Sequence, residues 1–366
     1  MLPNSPLTVR VPGKLMIAGE FAVLEPYQKL AVMAVDRFVY ATLEDSTENR
    51  VSLESFQLQG LAWAYEGDTV RIKTTDSRVT FVENAMSVVY TYLRENNYTL
   101  SNFRLSVRSE LDDASGRKYG LGSSAAVVTS VTSAMLAKFL PKKPPETLVF
   151  KLAAVSHVMT QGSGSGADVA ASSYGGWLEY SSFQAEWLKK AYGDTDSITE
   201  LVEQEWPYFS AKPVKLPNSV YLCIGWTGSP ASTSKLIGKI SMLKDSSPEL
   251  YNKFITDSKR AVTSFLQGIK TGDPELLFKG VRQNRRTLAT LGQHANAEIE
   301  TPMLTTLCNL AEDFGGAGKP SGAGGGDCGI AFMPSEEQAK QLMRAWQEAG
   351  IKPLEMHPCM TGASVI

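Results

Sequence analysis

The stretch Lys118-Tyr119-Gly120-Leu121-Gly122-Ser123-Ser124-Ala125-Ala126 joins a glycine-rich turn to two hydroxyl residues and then to an apolar run. The glycines let the backbone come close to an anion, Ser123 or Ser124 can cap a helix, and first-turn N–H groups aim partial positive charge at whatever binds there. Lys118 adds a full charge beside them. The pattern suits a phosphate cradle, with the Ser124 hydroxyl also on offer to Mg²⁺, an ion that takes oxygen ligands. It equally suits a capped core helix after an ordinary glycine turn.

Three further constellations have chemical potential. In Pro12-Gly13-Lys14-Leu15-Met16-Ile17-Ala18-Gly19-Glu20, one lysine and one carboxylate stand among small or apolar residues. Lys14 can meet a phosphate as a point charge, and Glu20 can bind a ligand hydroxyl or a metal. A solvated surface lysine and turn glutamate fit the same pattern. In Ser163-Gly164-Ser165-Gly166-Ala167-Asp168, small residues leave an open floor faced by a single acid, which can orient an attacking oxygen, take its proton, or simply cap the segment that follows. In Lys319-Pro320-Ser321-Gly322-Ala323-Gly324-Gly325-Gly326-Asp327-Cys328-Gly329, glycines free backbone N–H groups for an anion, although a flexible hinge would use the same residues. Cys328 reads as packed, not reactive.

The elements that must hold these segments follow from periodicity. Strands are expected over 7–11, 15–18, 31–43 and 103–109, and helices over 83–94, 123–140 and 145–159. The helix from Ser123 is supported by Val127, Val131 and Met135 at i, i+4 spacing and by Pro141 beyond its end. Periodicity weakens over 185–217, which marks that region as the crossing between two domains. Beyond it come a buried strand over 220–226, helices over 247–267, 273–291 and 301–314, and a strand, helix, strand ending over 329–333, 335–349 and 352–356. Asp273-Pro274 and Thr301-Pro302 each set a capping side chain before a first-turn proline. The order suggests a split β-α-β domain.

With 366 residues, the chain exceeds the size at which one core usually stops growing. A net charge of -2 creates no general field for nucleic acid or an anionic membrane, so any anion site is local. Four scattered cysteines without a Cys-x-x-Cys pair, and three histidines, indicate neither a disulfide framework nor a zinc centre. No export or membrane segment is evident, which points to the cytoplasm.

Taken together, Pro12-Gly13-Lys14 through Glu20, Gly120 through Ala126, and Ser321 through Asp327 occur in the order of three motifs of the galactokinase, homoserine kinase, mevalonate kinase and phosphomevalonate kinase (GHMP) superfamily. The chain resembles that superfamily over nearly its full length. Gly13-Lys14-Leu15 with Ala18-Gly19-Glu20, Lys118-Tyr119-Gly120, Gly225-Trp226-Thr227, and Ser321 through Ile330 look most like the bacterial phosphomevalonate kinase versions. The resemblance implies an α+β, two-domain GHMP kinase fold. Residues 1–200 would form a domain like ribosomal protein S5 domain 2, and residues 201–366 a ferredoxin-like domain.

It further implies transfer of the ATP γ-phosphoryl group to mevalonate 5-phosphate, with Mg²⁺ as cofactor and with neither nucleic acid nor membrane as a partner. By position, Gly120, Leu121, Gly122, Ser123, Ser124, Ala125 and Ala126 would hold the ATP phosphates. Lys14 and Lys118 would balance charge on the moving group, and Asp168 would align the acceptor or, with Ser124, the metal. Glu20, Ser165, Gly166, Ser321, Gly322 and Ala323 would bind the acceptor. The chain departs from mevalonate kinase in having no glutamate just beyond the cradle helix as a second magnesium ligand, and in setting Asp168 in Ser-Gly-Ala-Asp. An alcohol kinase would need Asp168 as a true base, whereas a regulatory relative would be expected to have shed Lys14, Ser124 or Asp168.

Overall fold

Alternating apolar residues at the start of the chain form a long antiparallel pair, β1 (Leu7–Ala18) with β2 (Leu30–Asp45), in which Leu7 lies opposite Leu43 and Lys14 opposite Ala34. The computed structural model describes residues 5–67, 69–112, 116–228 and 233–366. The register slips between Pro12 and Gly13. Pro12 has no N–H for the ladder, and an irregularity of this kind re-aims the next side chain, which is Lys14.

The chain continues through β3 (Arg50–Leu53), β4 (Leu58–Glu66), β5 (Thr69–Ile72), α1 (Thr80–Glu95), β6 (Phe103–Ser109), α2 (Ser123–Phe139), α3 (Glu146–Gln161), α4 (Ala167–Tyr174), β7 (Trp177–Ser181), α5 (Ala185–Asp194), α6 (Ile198–Glu203) and β8 (Ser210–Val214). The second half contains β9 (Tyr221–Trp226), α7 (Thr233–Ser246), α8 (Pro248–Thr271), α9 (Pro274–His294), α10 (Pro302–Asp313), β10 (Ala317–Pro320), β11 (Cys328–Met333), α11 (Glu336–Glu348), β12 (Lys352–Pro353) and β13 (Ser364–Val365). Among the described residues the first sheet runs β13-β1-β2-β6-β3-β4-β5, with β7 joining β2 to β8.

The second sheet runs β10-β11-β9-β12, all antiparallel. Numbered within its own unit this is the 4-1-3-2 order of a ferredoxin-like domain, with α10 and α11 packed on its strands. Trp177 of the first sheet meets Phe332 of the second, and Phe332 also meets Phe265 of α8. One apolar core therefore runs through both units.

The expected division at residue 200 falls inside α6, while β8 still pairs with β7 of the first sheet. Sheet membership changes between Val214 and Tyr221, and the C-terminal strand β13 returns to β1. The 185–217 region thus contains two helices and a strand belonging to the first unit. β3, β4, β5 and α7 were not anticipated from periodicity. In β4 only Trp63 is buried, which leaves no alternation to read, whereas in α7 Leu236, Ile240 and Leu243 do form an apolar stripe, interrupted by Gly238 and flanked by lysines.

α2 differs from expectation in a way that matters for the site. Residues 128–136 are all buried, threonines and serines included, because the helix packs against β1, β2, α1, α3 and α4. A helix buried on all sides is a core element, and each Val, Leu or Met so buried contributes about 1.5–3 kcal/mol. Its N-terminus is therefore fixed by the whole first unit.

The two proline-marked helix starts behave as their residues dictate. Asp273 Oδ1 accepts from Leu276 N at 3.1 Å, and Thr301 Oγ1 from Leu304 N at 3.3 Å. Asp273→Ala is expected to lower stability by about 1 kcal/mol, read as a lower urea midpoint with an unchanged slope.

Candidate active site

The glycine turn ends at Gly122, whose φ of 76° and ψ of 43° make it the left-handed N-cap of α2. Ser123 and Ser124 are consequently the first helical residues and not the cap, and neither side chain closes the helix end. The first intrahelical bond runs from Ala126 N to Gly122 O at 3.0 Å. That leaves the N–H groups of Ser123, Ser124 and Ala125 ahead of the hydrogen-bonded ladder, where an anion can take them. Ala126, expected in the cradle, has its N–H committed and its side chain buried.

Lys14 reaches this turn from β1. Its backbone N–H donates to Leu121 O at 2.9 Å and its Nζ to Gly120 O at 2.9 Å. A Cβ placed on Gly122 would lie 3.0 Å from Lys14 Cγ and 3.4 Å from Asp168 Cβ. The close approach of lysine, turn and aspartate requires glycine there. Asp168 stands in the first turn of α4, with Oδ1 accepting from Val169 N at 2.9 Å. Tyr180 steadies the preceding turn, its hydroxyl donating to Ser165 O at 2.5 Å. Burial first, and then the charge of Asp168, push the Tyr180 hydroxyl up from its usual range, so it stays a donor.

The second unit contributes its glycine loop between β10 and β11. Ser321 does not face the space at the centre: it is buried, and its hydroxyl donates to Met16 O at 2.8 Å, tying the loop to β1. Gly166 likewise packs under the site, against Phe183 and Tyr180. Glu20 is neither a surface residue nor a solvated turn acid. It is 4% exposed, and its Oε1 accepts from Lys319 Nζ at 2.5 Å and from Gly322 N at 3.3 Å. Burial pushes the Cys328 thiol up, which leaves it protonated and packed.

One cavity of about 610 Å³ is lined by Lys14, Glu20, Lys118, Gly120, Leu121, Gly122, Ser123, Ser124, Ser165, Asp168, Gly322 and Ala323. Four stretches separated by up to about three hundred positions thus share one space, of a size usual for small-ligand sites. Gly166, Ser321, Ala125 and Ala126 are not among its lining residues.

Sequence reasoning missed others. His157 and Gln161 of α3 line the cavity, and His157 Nε2 lies 3.1 Å from Ser124 Oγ. Their i, i+4 spacing was the available signal, but α3 is so broadly apolar that no polar face stands out. Asp327 was quoted in a motif but given no role. Its carboxylate approaches the cradle so closely that a Cβ on Gly120 would fall 2.7 Å from Oδ2. Thr233 and Ile237 bring α7 to the wall.

The comparisons with known proteins agree with this geometry. Residues 82–176 match the family described as GHMP kinases N terminal domain, and residues 265–352 match GHMP kinases C terminal. A phosphomevalonate kinase of Streptomyces sp. strain CL190 is 33% identical over 96% of each chain. Among solved structures, the Lin0012 protein of Listeria innocua superposes with a TM-score of 0.93 at 37% identity over 99% of each chain. Streptococcus pneumoniae phosphomevalonate kinase in complex with phosphomevalonate and AMPPNP superposes with a TM-score of 0.83 at 26% identity, covering 96% of this chain and 99% of that one. The cradle at the start of α2 falls inside the first matched region and most of the ferredoxin-like unit inside the second, so the chain belongs to the GHMP kinases, a family of ATP-dependent phosphotransferases.

Proposed function

We propose that this kinase transfers the γ-phosphoryl group of ATP to mevalonate 5-phosphate, giving mevalonate 5-diphosphate and ADP. The observation that carries the reading is the convergence of Lys14 and Lys118 on the glycine cradle, beside Asp168. A phosphate acceptor is already largely ionised near neutral pH, its second pKa being about 6. Removing a proton is then a small task, and bringing two anions together in line is the large one. The likeness to the Streptomyces enzyme and to the S. pneumoniae complex supports the same acceptor.

In this reading the N–H groups of Ser123, Ser124 and Ala125 hold the ATP phosphates against the α2 N-terminus. Lys14 and Lys118 neutralise charge on the moving group and on the acceptor. Asp168 orients the attacking phosphate oxygen, which forms the new P–O bond as the bond to the ADP oxygen breaks. Glu20, Ser165, Gly322 and Ala323 form the acceptor end, while Gly166 and Ser321 support it from below.

The donor set fits Mg²⁺. If Ser124 donates its proton to His157 Nε2, its oxygen lone pairs remain for a cation, with the Asp168 carboxylate as a second ligand. Among the described residues no group of three or more His, Cys, Asp or Glu could hold a metal alone. Mg²⁺ usually takes one or two protein ligands and completes its shell with water and phosphate oxygens. When bound, the ion would offset the negative charge of the phosphates.

No helix of the described residues is long and apolar enough to cross a membrane. A cytoplasmic location belongs to the proposal, supported by the water-soluble substrates it assigns. Incubation of the protein with ATP, Mg²⁺ and either mevalonate 5-phosphate or mevalonate, followed by phosphorus NMR, tests the acceptor. The diphosphate is expected from the first and no product from the second. Phosphorylation of free mevalonate alone would replace this reading with an alcohol kinase.

A further inference from the structure

Glu20 and Lys319 lie 299 positions apart, one just beyond β1 of the first unit and the other in β10 of the second. Their side chains are 3% and 0% exposed. Burying two charges is costly, and apolar residues of similar volume hold a core at least as well, so stability alone is a weak reason for such a pair. The surrounding contacts supply a better one. Lys319 Nζ donates both to Glu20 Oε1 and to Pro320 O, each at 2.5 Å. Glu20 Oε1 also accepts from Gly322 N, one of the cavity's own residues. Glu20 Oε2 is buried and has no hydrogen-bond partner among the described residues, although Glu20 lines the cavity. A carboxylate whose second oxygen has no protein donor is half satisfied, and where its residue lines a cavity a ligand can supply the missing donor.

We propose that Lys319 is a positioning residue for the acceptor end of the site: it fixes the Glu20 carboxylate across the junction of the two units, so that Oε1 anchors the Gly322 end of the glycine loop and Oε2 receives a donor from the acceptor. The inference rests on the assignment of that end of the cavity to the phosphate-bearing acceptor. Its chemical demand on the acceptor is a hydroxyl group set between the two anionic ends that mevalonate 5-phosphate carries, because a carboxylate oxygen accepts from a hydroxyl and repels an anion. Lys319 does not reach the cavity and acts only through Glu20 and the loop.

Three variants test this: Lys319→Met, Glu20→Gln and the double variant E20Q/K319M, each compared with wild type for the acceptor KM, the ATP KM, kcat and Tm. Lys319→Met leaves a buried carboxylate unpaired, so the lowest Tm is expected there, and the double variant, which buries no charge, should recover most of it. The acceptor KM should rise roughly ten-fold or more in all three, with the ATP KM within about two-fold of wild type. The double variant is decisive, and it carries the test even if Lys319→Met fails to fold. Recovery of both Tm and acceptor KM in E20Q/K319M would reduce the pair to a structural element and overturn the proposal. Recovery of Tm with the acceptor KM still raised supports it, and a matching rise in the ATP KM would also overturn it. Wild-type enzyme assayed alongside separates the two readings: failure to use mevalonate 5-phosphate rejects the acceptor assignment, and the same KM comparison is then made with mevalonate.

Discussion

Replacement of Lys14 by methionine is expected to lower kcat by roughly three orders of magnitude while leaving the protein folded. The size follows from electrostatics. A unit charge about 4 Å from another, at an effective dielectric near 20, interacts by about 4 kcal/mol, and each 1.36 kcal/mol is about a ten-fold change in rate. Lys14 is only part-buried, yet its Nζ is held at Gly120 O by a 2.9 Å hydrogen bond and its stem lies against Gly122. The charge is thus preorganised before any phosphate arrives, which is the condition under which a fixed charge favours the transition state over the ground state. Methionine keeps the stem and its packing and removes only the ammonium group. The lost hydrogen bond should cost about 1 kcal/mol of stability, a small change in Tm. Lys14→Ala should match Lys14→Met in kcat and fall slightly below it in Tm. Near-normal ADP release from the methionine variant would remove Lys14 from the chemistry.

That side chain was legible in the sequence through the local motif that carries it, a glycine before a lysine at the start of an apolar run, although the groups that hold it, Gly120 O and Leu121 O, lie more than a hundred positions away. The caps at Asp273 and Thr301 were legible for the same reason, since a cap and its helix lie within four residues of each other. A split β-α-β unit was anticipated from the alternation of strand and helix at the end of the chain, and its ferredoxin-like fold from the family resemblance. What stayed hidden depends on partners distant in sequence. Glu20 reads as a candidate ligand-binding acid, but its burial cannot be read until Lys319 is brought to it. Asp327 reads as one more loop residue until its carboxylate is found at Gly120. Ser123 and Ser124 read as caps because hydroxyl residues commonly are, whereas the left-handed Gly122 takes that place and pushes them into the first turn. β8 belongs to the first sheet through its pairing with β7, a fact no window of the sequence around 210–214 contains.

Asp168 provides the sharpest distinction between a phosphate and an alcohol as acceptor, because the two chemistries ask different things of the same carboxylate. Asp168→Ala is expected to lower kcat by roughly 10²–10³ in either case, since the range for a positioned acid-base or electrostatic group covers both. The pH profile separates them. With mevalonate 5-phosphate, kcat/KM should rise through a pH of about 6 as the acceptor's own phosphate loses its second proton. In Asp168→Asn the same rise should persist at lower amplitude, because the ionising group is on the substrate and not on the enzyme. Asparagine can still orient an acceptor through its amide, so the drop for Asn should be smaller than that for Ala. A true general base behaves differently: its replacement by an amide removes the ascending limb altogether, and Asn is then no better than Ala. The site favours the first outcome. Asp168 Oδ1 is held by Val169 N at 2.9 Å in the first turn of α4, where the helix N-terminus favours the negative charge of a carboxylate. An acid held in that way is suited to align and balance charge, and it shares its cavity with Lys14 and Lys118.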